Sequence, residues 1–94
     1  MTEIDENIRR KRLLYQAQHR GFKEADLLIG GFAAASLSAM SAGELDEFEI
    51  LLAHPDHDLY LWITGKGAAP AELIGPVFQR LCAFDVSKIT APRD

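Results

Sequence analysis

The sequence predicts an all-α fold, a small bundle of about five helices forming a single domain over residues 1–94. Three observations carry this. Apolar residues recur at spacings of three and four, the period of one helix face. Glycine, proline and capping residues interrupt that pattern at intervals that suit short helices joined by short loops. No hairpin turn lies between alternating β-branched runs, so no strand pair is expected.

The first helix is expected from Ile4 to about His19, with Ile4, Ile8 and Tyr15 as its apolar stripe and Leu14 and Lys11 beside them. Thr2 and Asp5 resemble a weak capping box, and Gly21 is the natural stop because it accepts a left-handed C′ conformation. A second helix should run from Lys23 to Met40, burying Leu27, Leu28, Phe32, Ala35 and Leu37. Its Gly30-Gly31 pair costs about 1 kcal/mol per glycine, which points to close approach of another helix. Ser41-Ala42-Gly43-Glu44 is a capping box for a third helix with Leu45, Phe48, Leu51 and Leu52 inward. His54-Pro55 ends it, and Asp56 offers the N-cap of a short fourth helix carrying Leu59, Trp62 and Ile63. Residues 65–70 read as a loop. A last helix spans Ala71 to Phe84, with Leu73, Ile74, Val77, Phe78 and Leu81 inward. Pro76 after Gly75 either kinks that helix or restarts it as a first residue. The tail over residues 85–94 reads as irregular.

Ninety-four residues make one domain, and 48% hydrophobic with 26% charged residues is an ordinary globular composition. That size leaves little room for a buried cofactor pocket beside a catalytic apparatus, which favours a binding module over an enzyme. The net charge of −4 hides an asymmetry. Residues 1–23 hold six of the ten basic residues, whereas residues 24–62 hold eight acidic residues and no Lys or Arg. Such a chain is a poor nucleic-acid binder, while a charged partner protein is steered by the dipole. A single cysteine, Cys82, excludes an intramolecular disulfide and suits a reducing compartment. The start lacks an apolar signal core, and no stretch approaches the ~18–20 apolar residues of a membrane span. The expectation is a cytoplasmic protein.

Candidate chemistry is sparse. His54-Pro55-Asp56-His57-Asp58 gathers two imidazoles and two carboxylates, but the acids suit a helix N-terminus better than a metal. Cys82 reads as a small core or boundary residue, because a reactive thiolate wants cations or a helix N-terminus nearby. Gly65-Lys66-Gly67 and Gly30-Gly31 lack phosphate-cradle spacing, and Ser36, Ser38 and Ser41 suit packing and capping. Trp62 reads as core, with Tyr60 open to a partner contact.

Arg20-Gly21-Phe22-Lys23-Glu24 is different in kind. Arg20 stands at the negative end of the first helix and Glu24 in the positive first turn of the second. Gly21 bares the backbone between them, and Phe22 is either a staple into the core or an exposed plug. One reading is a plain helix-turn-helix corner. The other is a flat contact point, where a partner's backbone touches Gly21 and a bidentate Arg20 reads a carboxylate or carbonyl.

Arg20-Gly21-x-x-Glu24, with Arg12-Leu13-Leu14-Tyr15 before it and residues 26–32 after it, resembles the succinate dehydrogenase assembly factor 2 family. Bacterial members are often called flavinylation factors. The segments Leu45-Asp46-Glu47-Phe48-Glu49-x-Leu51-Leu52 and Pro55-Asp56-x-Asp58-Leu59-Tyr60-x-Trp62-Ile63-Thr64-Gly65 also resemble that family. The likeness covers about residues 9–66, and Gly75-Pro76 departs from it. The resemblance implies a helical assembly chaperone, not an enzyme. It would bind the flavoprotein subunit of succinate dehydrogenase or fumarate reductase and promote covalent attachment of FAD to a partner histidine. FAD would belong to the partner and not bind stably to this chain. The family motif carries over to Arg20, Gly21 and Glu24, and the expected partner-binding surface runs from Arg20 through Gly21, Phe22 and Lys23 to Glu24. The alternative is a helical interaction or regulatory module without a flavin role, favoured by the basic run Arg9–Arg12 and opposed by the acidic middle. A small heme or metal enzyme is a third class, for which the chain supplies no convincing ligand set.

Overall fold

A computed structural model describes residues 3–84, and of residues 3–5 only the backbone. The Thr2–Asp5 cap, the Ile4 side chain and the 85–94 tail lie outside the described residues. Among the described residues five α-helices form: α1 (Glu3–Gln18), α2 (Lys23–Ser36), α3 (Ala42–Leu52), α4 (Asp56–Ile63) and α5 (Pro76–Ala83). Short 3₁₀ turns occupy Leu37–Ala39 and Ala71–Leu73, and no strand occurs among the described residues. The all-α expectation holds.

The face of α1 that turns inward is not the expected one. Leu13 and Ala17 are fully buried with Leu14 beside them, whereas Ile8 and Tyr15 are 56% and 64% exposed. Arginines explain the rotation. Arg9 donates to Glu49 at 2.8 Å and Asp46 at 2.6 Å on α3, and Arg10 donates to the Leu37 and Met40 carbonyls at 3.0 and 2.8 Å. Their aliphatic stems cover apolar surface while the heads pair at its edge. The two carboxylates push the Arg9 guanidinium above its ordinary pKa.

As an α-helix, α2 stops at Ser36, not Met40, and the chain continues as a 3₁₀ turn whose end Arg10 ties down. It buries Ala25, Leu28, Ile29, Phe32 and Ala33, while Leu27 is only half-buried and Ala35 is exposed. The Phe32 ring lies 5.9 Å from Phe48 and 5.8 Å from Phe84. Close approach at the glycine pair is present: a Cβ on Gly30 would lie 2.9 Å from Gln18 Cγ and 3.0 Å from Gln18 Cα. That contact sets α1 against α2.

α3 follows its sequence closely. Ser41 Oγ accepts from the Glu44 amide at 3.2 Å, Glu44 returns the bond to the Ser41 amide at 2.9 Å, and Leu45, Phe48, Leu51 and Leu52 are buried. Leu59 and Ile63 fasten α4 to the core, while Trp62 is half-buried with its ring 5.4 Å from His54. Asp56 is not the cap of α4, because Pro55 holds that position and makes no side-chain cap bond. Gly65 alone among the described glycines has a positive φ, 78°, and turns the chain out of α4.

The Gly75-Pro76 step restarts the helix. Gly75 is the N-cap residue, Pro76 is the first residue of α5, and the Glu47 carboxylate accepts from the Val77 and Phe78 amides at 2.9 and 3.1 Å. A carboxylate reaching across from α3 thus caps α5. Leu73, Val77, Phe78 and Leu81 are inward as expected, but Ile74 is 53% exposed because it falls in the break between turn and helix. Cys82 is exposed on α5, so of the two expected placements it takes the boundary and not the core.

Candidate functional site

The site grows from the four residues joining α1 to α2. The Arg20 amide donates to the Asp26 carboxylate at 2.5 Å, and the Asp26 amide donates to the Phe22 carbonyl at 3.0 Å, which closes the corner on the first turn of α2. The Arg20 side chain then runs into the gap between the end of α3 and the start of α4. Nη1 donates to the Leu52 carbonyl at 3.1 Å and Nη2 to the His54 carbonyl at 2.9 Å. Those carbonyls stand at the C-terminal end of α3, where they lack helical partners and carry the negative end of the dipole. Nε lies 2.6 Å from Asp56 Oδ1, at an angle that makes an ion pair without a well-aligned hydrogen bond. The side chain is only 8% exposed. All three of its nitrogens therefore face partners inside the chain, and the ion pair runs to Asp56, not to Glu24.

Gly21 is a glycine for a different reason than the expected one. Its φ is not positive, so no left-handed stop is made. The Asp56 carboxylate lies against it instead: a Cβ there would stand 3.4 Å from Asp56 Cγ and well inside contact distance of Oδ2. Arg20 pulls the carboxylate in, and only a residue without a side chain leaves it room. Gly21 itself stays exposed.

Phe22 is half-buried and wedged between helices. Its ring stacks on His57 at 4.6 Å and meets Tyr60 edge-on at 5.2 Å. Lys23 and Glu24 point outward, and Glu24 rims a groove of about 390 Å³ lined by Leu27, Leu28, Tyr60, Ile63 and Phe84. Cys82 also lines that groove, and partial burial pushes its thiol above the ordinary pKa.

The five residues singled out in the sequence do share one corner, but they face different ways. Arg20 turns in, Gly21 lies open over Asp56, Phe22 wedges, and Lys23 with Glu24 reaches solvent. Sequence reading missed Asp56, His57 and Tyr60 as members of the site. The early acids of α4 carry a signal, yet they read as helix-dipole partners, and no spacing links residue 56 to residue 20. Among the described residues no three His, Cys, Asp or Glu side chains group closely enough to hold a metal. His54 and His57 face aromatic rings instead.

Residues 11–85 match the family described as flavinator of succinate dehydrogenase, Sdh5. The FAD assembly factor SdhE of Acetobacter pasteurianus is 42% identical over 73 residues, which cover 78% of this chain and 67% of that protein. The mitochondrial succinate dehydrogenase assembly factor 2 of Candida glabrata is 49% identical over 66 residues, 68% of this chain and 43% of that protein. Its counterpart in Dictyostelium discoideum is 41% identical over 63 residues, 67% of this chain and 45% of that protein. The chain thus spans two thirds of the bacterial relative and under half of each mitochondrial one.

Proposed function

The chain belongs to the flavinator family of succinate dehydrogenase, and on that premise we propose that it binds the flavoprotein subunit of succinate dehydrogenase, or of fumarate reductase, and promotes covalent attachment of FAD there. The observation that carries the reading is the Arg20 corner, a rigid base under a small exposed surface of Gly21, Phe22, Lys23 and Glu24. Lys23 and Glu24 present opposite charges side by side to a partner, and Gly21 lets its backbone approach. Arg20 braces that surface from beneath in the free chain.

The chain acts as a chaperone and not as a catalyst. It favours one conformation of the flavoprotein by binding that conformation better than others, which is the only way a ligand shifts such an equilibrium. FAD and the histidine that receives it belong to the partner. The starts of α3 and α5 fit this division, since side chains already occupy the amides that would attract a flavin's phosphates: Ser41 at α3 and Glu47 at α5. We place the protein in the cytoplasm, where a single free thiol is stable. Among the described residues no helix is long and apolar enough to cross a membrane.

The inward turn of Arg9 and Arg10 removes half of the basic run that favoured the alternative of a regulatory module, leaving Lys11 and Arg12 exposed. Co-expression with the flavoprotein subunit, reading flavin fluorescence on a denaturing gel, tests the proposal. A strong covalent band that depends on this chain is expected. Equal bands with and without it would refute the reading.

A further inference from the structure

We infer that Asp56 is a positioning residue of the docking surface, a reading that rests on the function proposed above and extends its site to a residue outside the Arg20–Glu24 motif. Two contacts meet on its carboxylate. Oδ1 pairs with the buried Arg20 Nε at 2.6 Å, and Oδ2 occupies the space where any side chain on Gly21 would begin. The next residue, His57, stacks on Phe22 at 4.6 Å. The start of α4 therefore fixes three consecutive residues of the corner at once: Arg20 by charge, Gly21 by contact and Phe22 by stacking.

Asp56 is 27% exposed at its side chain, and it sits beneath the glycine rather than beside it. It sets where the Gly21 backbone and the neighbouring charges stand. Without the carboxylate, the guanidinium keeps its two carbonyls but loses the anion that fixes its Nε edge. The corner then samples more than one arrangement, and binding falls because only one arrangement fits the partner.

The test measures affinity for the flavoprotein subunit, the rate of FAD attachment at saturating factor, and the melting temperature of each variant. Asp56→Ala is expected to weaken binding about tenfold. At saturating concentration its attachment rate should match wild type, because the bound form is unchanged. Asp56→Asn, which keeps an acceptor toward Nε, should fall between the two, and it serves in place of the alanine variant should that one not fold. Gly21→Ala should weaken binding in the wild-type background. In Asp56→Ala it should add almost nothing, since a Cβ at position 21 would then lie 3.7 Å from the Cβ at position 56. Wild-type affinity in Asp56→Ala and Asp56→Asn, measured well below their melting temperatures, would overturn the inference. So would an equal effect of Gly21→Ala in both backgrounds. Failure of the parent reading looks different: Glu24→Lys and Lys23→Glu would bind as wild type, while the Gly21–Asp56 coupling would still show in melting temperatures.

Discussion

Two junctions in this bundle use the same device to different ends. At Gly75 the Glu47 carboxylate comes in where a Cβ would lie 2.8 Å from Oε2, and at Gly21 the Asp56 carboxylate does the same. In each case a glycine makes room for a carboxylate from another helix. The Glu47 carboxylate ends on two amides of α5, a geometrically complete cap made without a charged partner. The Asp56 carboxylate ends on a buried guanidinium whose Nε is poorly aligned to it, and exposed Lys23, Glu24 and His57 surround the spot. The first junction closes a helix. The second holds a charged, partly open surface in place, which is what a docking site requires and a helix cap does not.

Substitutions can separate the two. Arg20→Ala should have the largest effect, about 3 kcal/mol lost in urea unfolding, because it strands the α3 carbonyls and an acid near the interior. It should also abolish flavin attachment to the partner. Glu47→Ala should cost less, about 1–2 kcal/mol as for other lost helix caps, and leave attachment at wild-type level below the melting temperature. Loss of attachment in Glu47→Ala without unfolding would erase the distinction drawn between the junctions. Ser41→Ala, which opens the capping box of α3, should cost about 1 kcal/mol by the same measurement, again without touching attachment.

The smallest effect is one of pH and belongs to the Glu47 side. The hydrogen bond with Ser41 and the pair with Arg80 hold Glu44 below its ordinary value of 4.5. A lowered folded pKa stabilises above the unfolded value, and that contribution disappears as pH falls through the folded one. Melting temperature should therefore decline below about pH 4.5 more steeply in wild type than in Arg80→Ala. Parallel acid limbs in the two proteins would show that the pair contributes nothing.

What the sequence made legible was whatever is decided locally. The α3 capping box and its four inward residues lie within one short segment, and the structure returned them unchanged. Gly30 was legible because a double glycine inside a helix has few other physical causes. The inward face of α1 was not, since hydropathy assigns arginine to solvent and cannot see that acids on α3 and broken carbonyls after α2 need donors. The restart at Pro76 was one of two readings left open, and Glu47, on another helix, decided it. Gly21 does not make the left-handed stop that its place after α1 suggests, and the contact that does require a glycine there, with Asp56, was not legible. Its partner lies far along the chain, and nothing in a one-dimensional pattern joins them.

Three of the four arginines of the first helix and its corner, Arg9, Arg10 and Arg20, also bear on the order of events during synthesis. Their acceptors lie from 27 to 40 residues downstream. When α1 leaves the ribosome none of them exists, and α2 can shelter only the Leu13–Ala17 stripe. Arg9, Arg10 and Arg20 must wait, hydrated, until α3 and the start of α4 have been made. Folding of this small helical chain is therefore gated by distant contacts, and it should be slower than its helix content alone would set. The Arg20 corner takes its final form only after α4 arrives, so a truncated nascent chain carries the whole motif in sequence before it has the surface in shape.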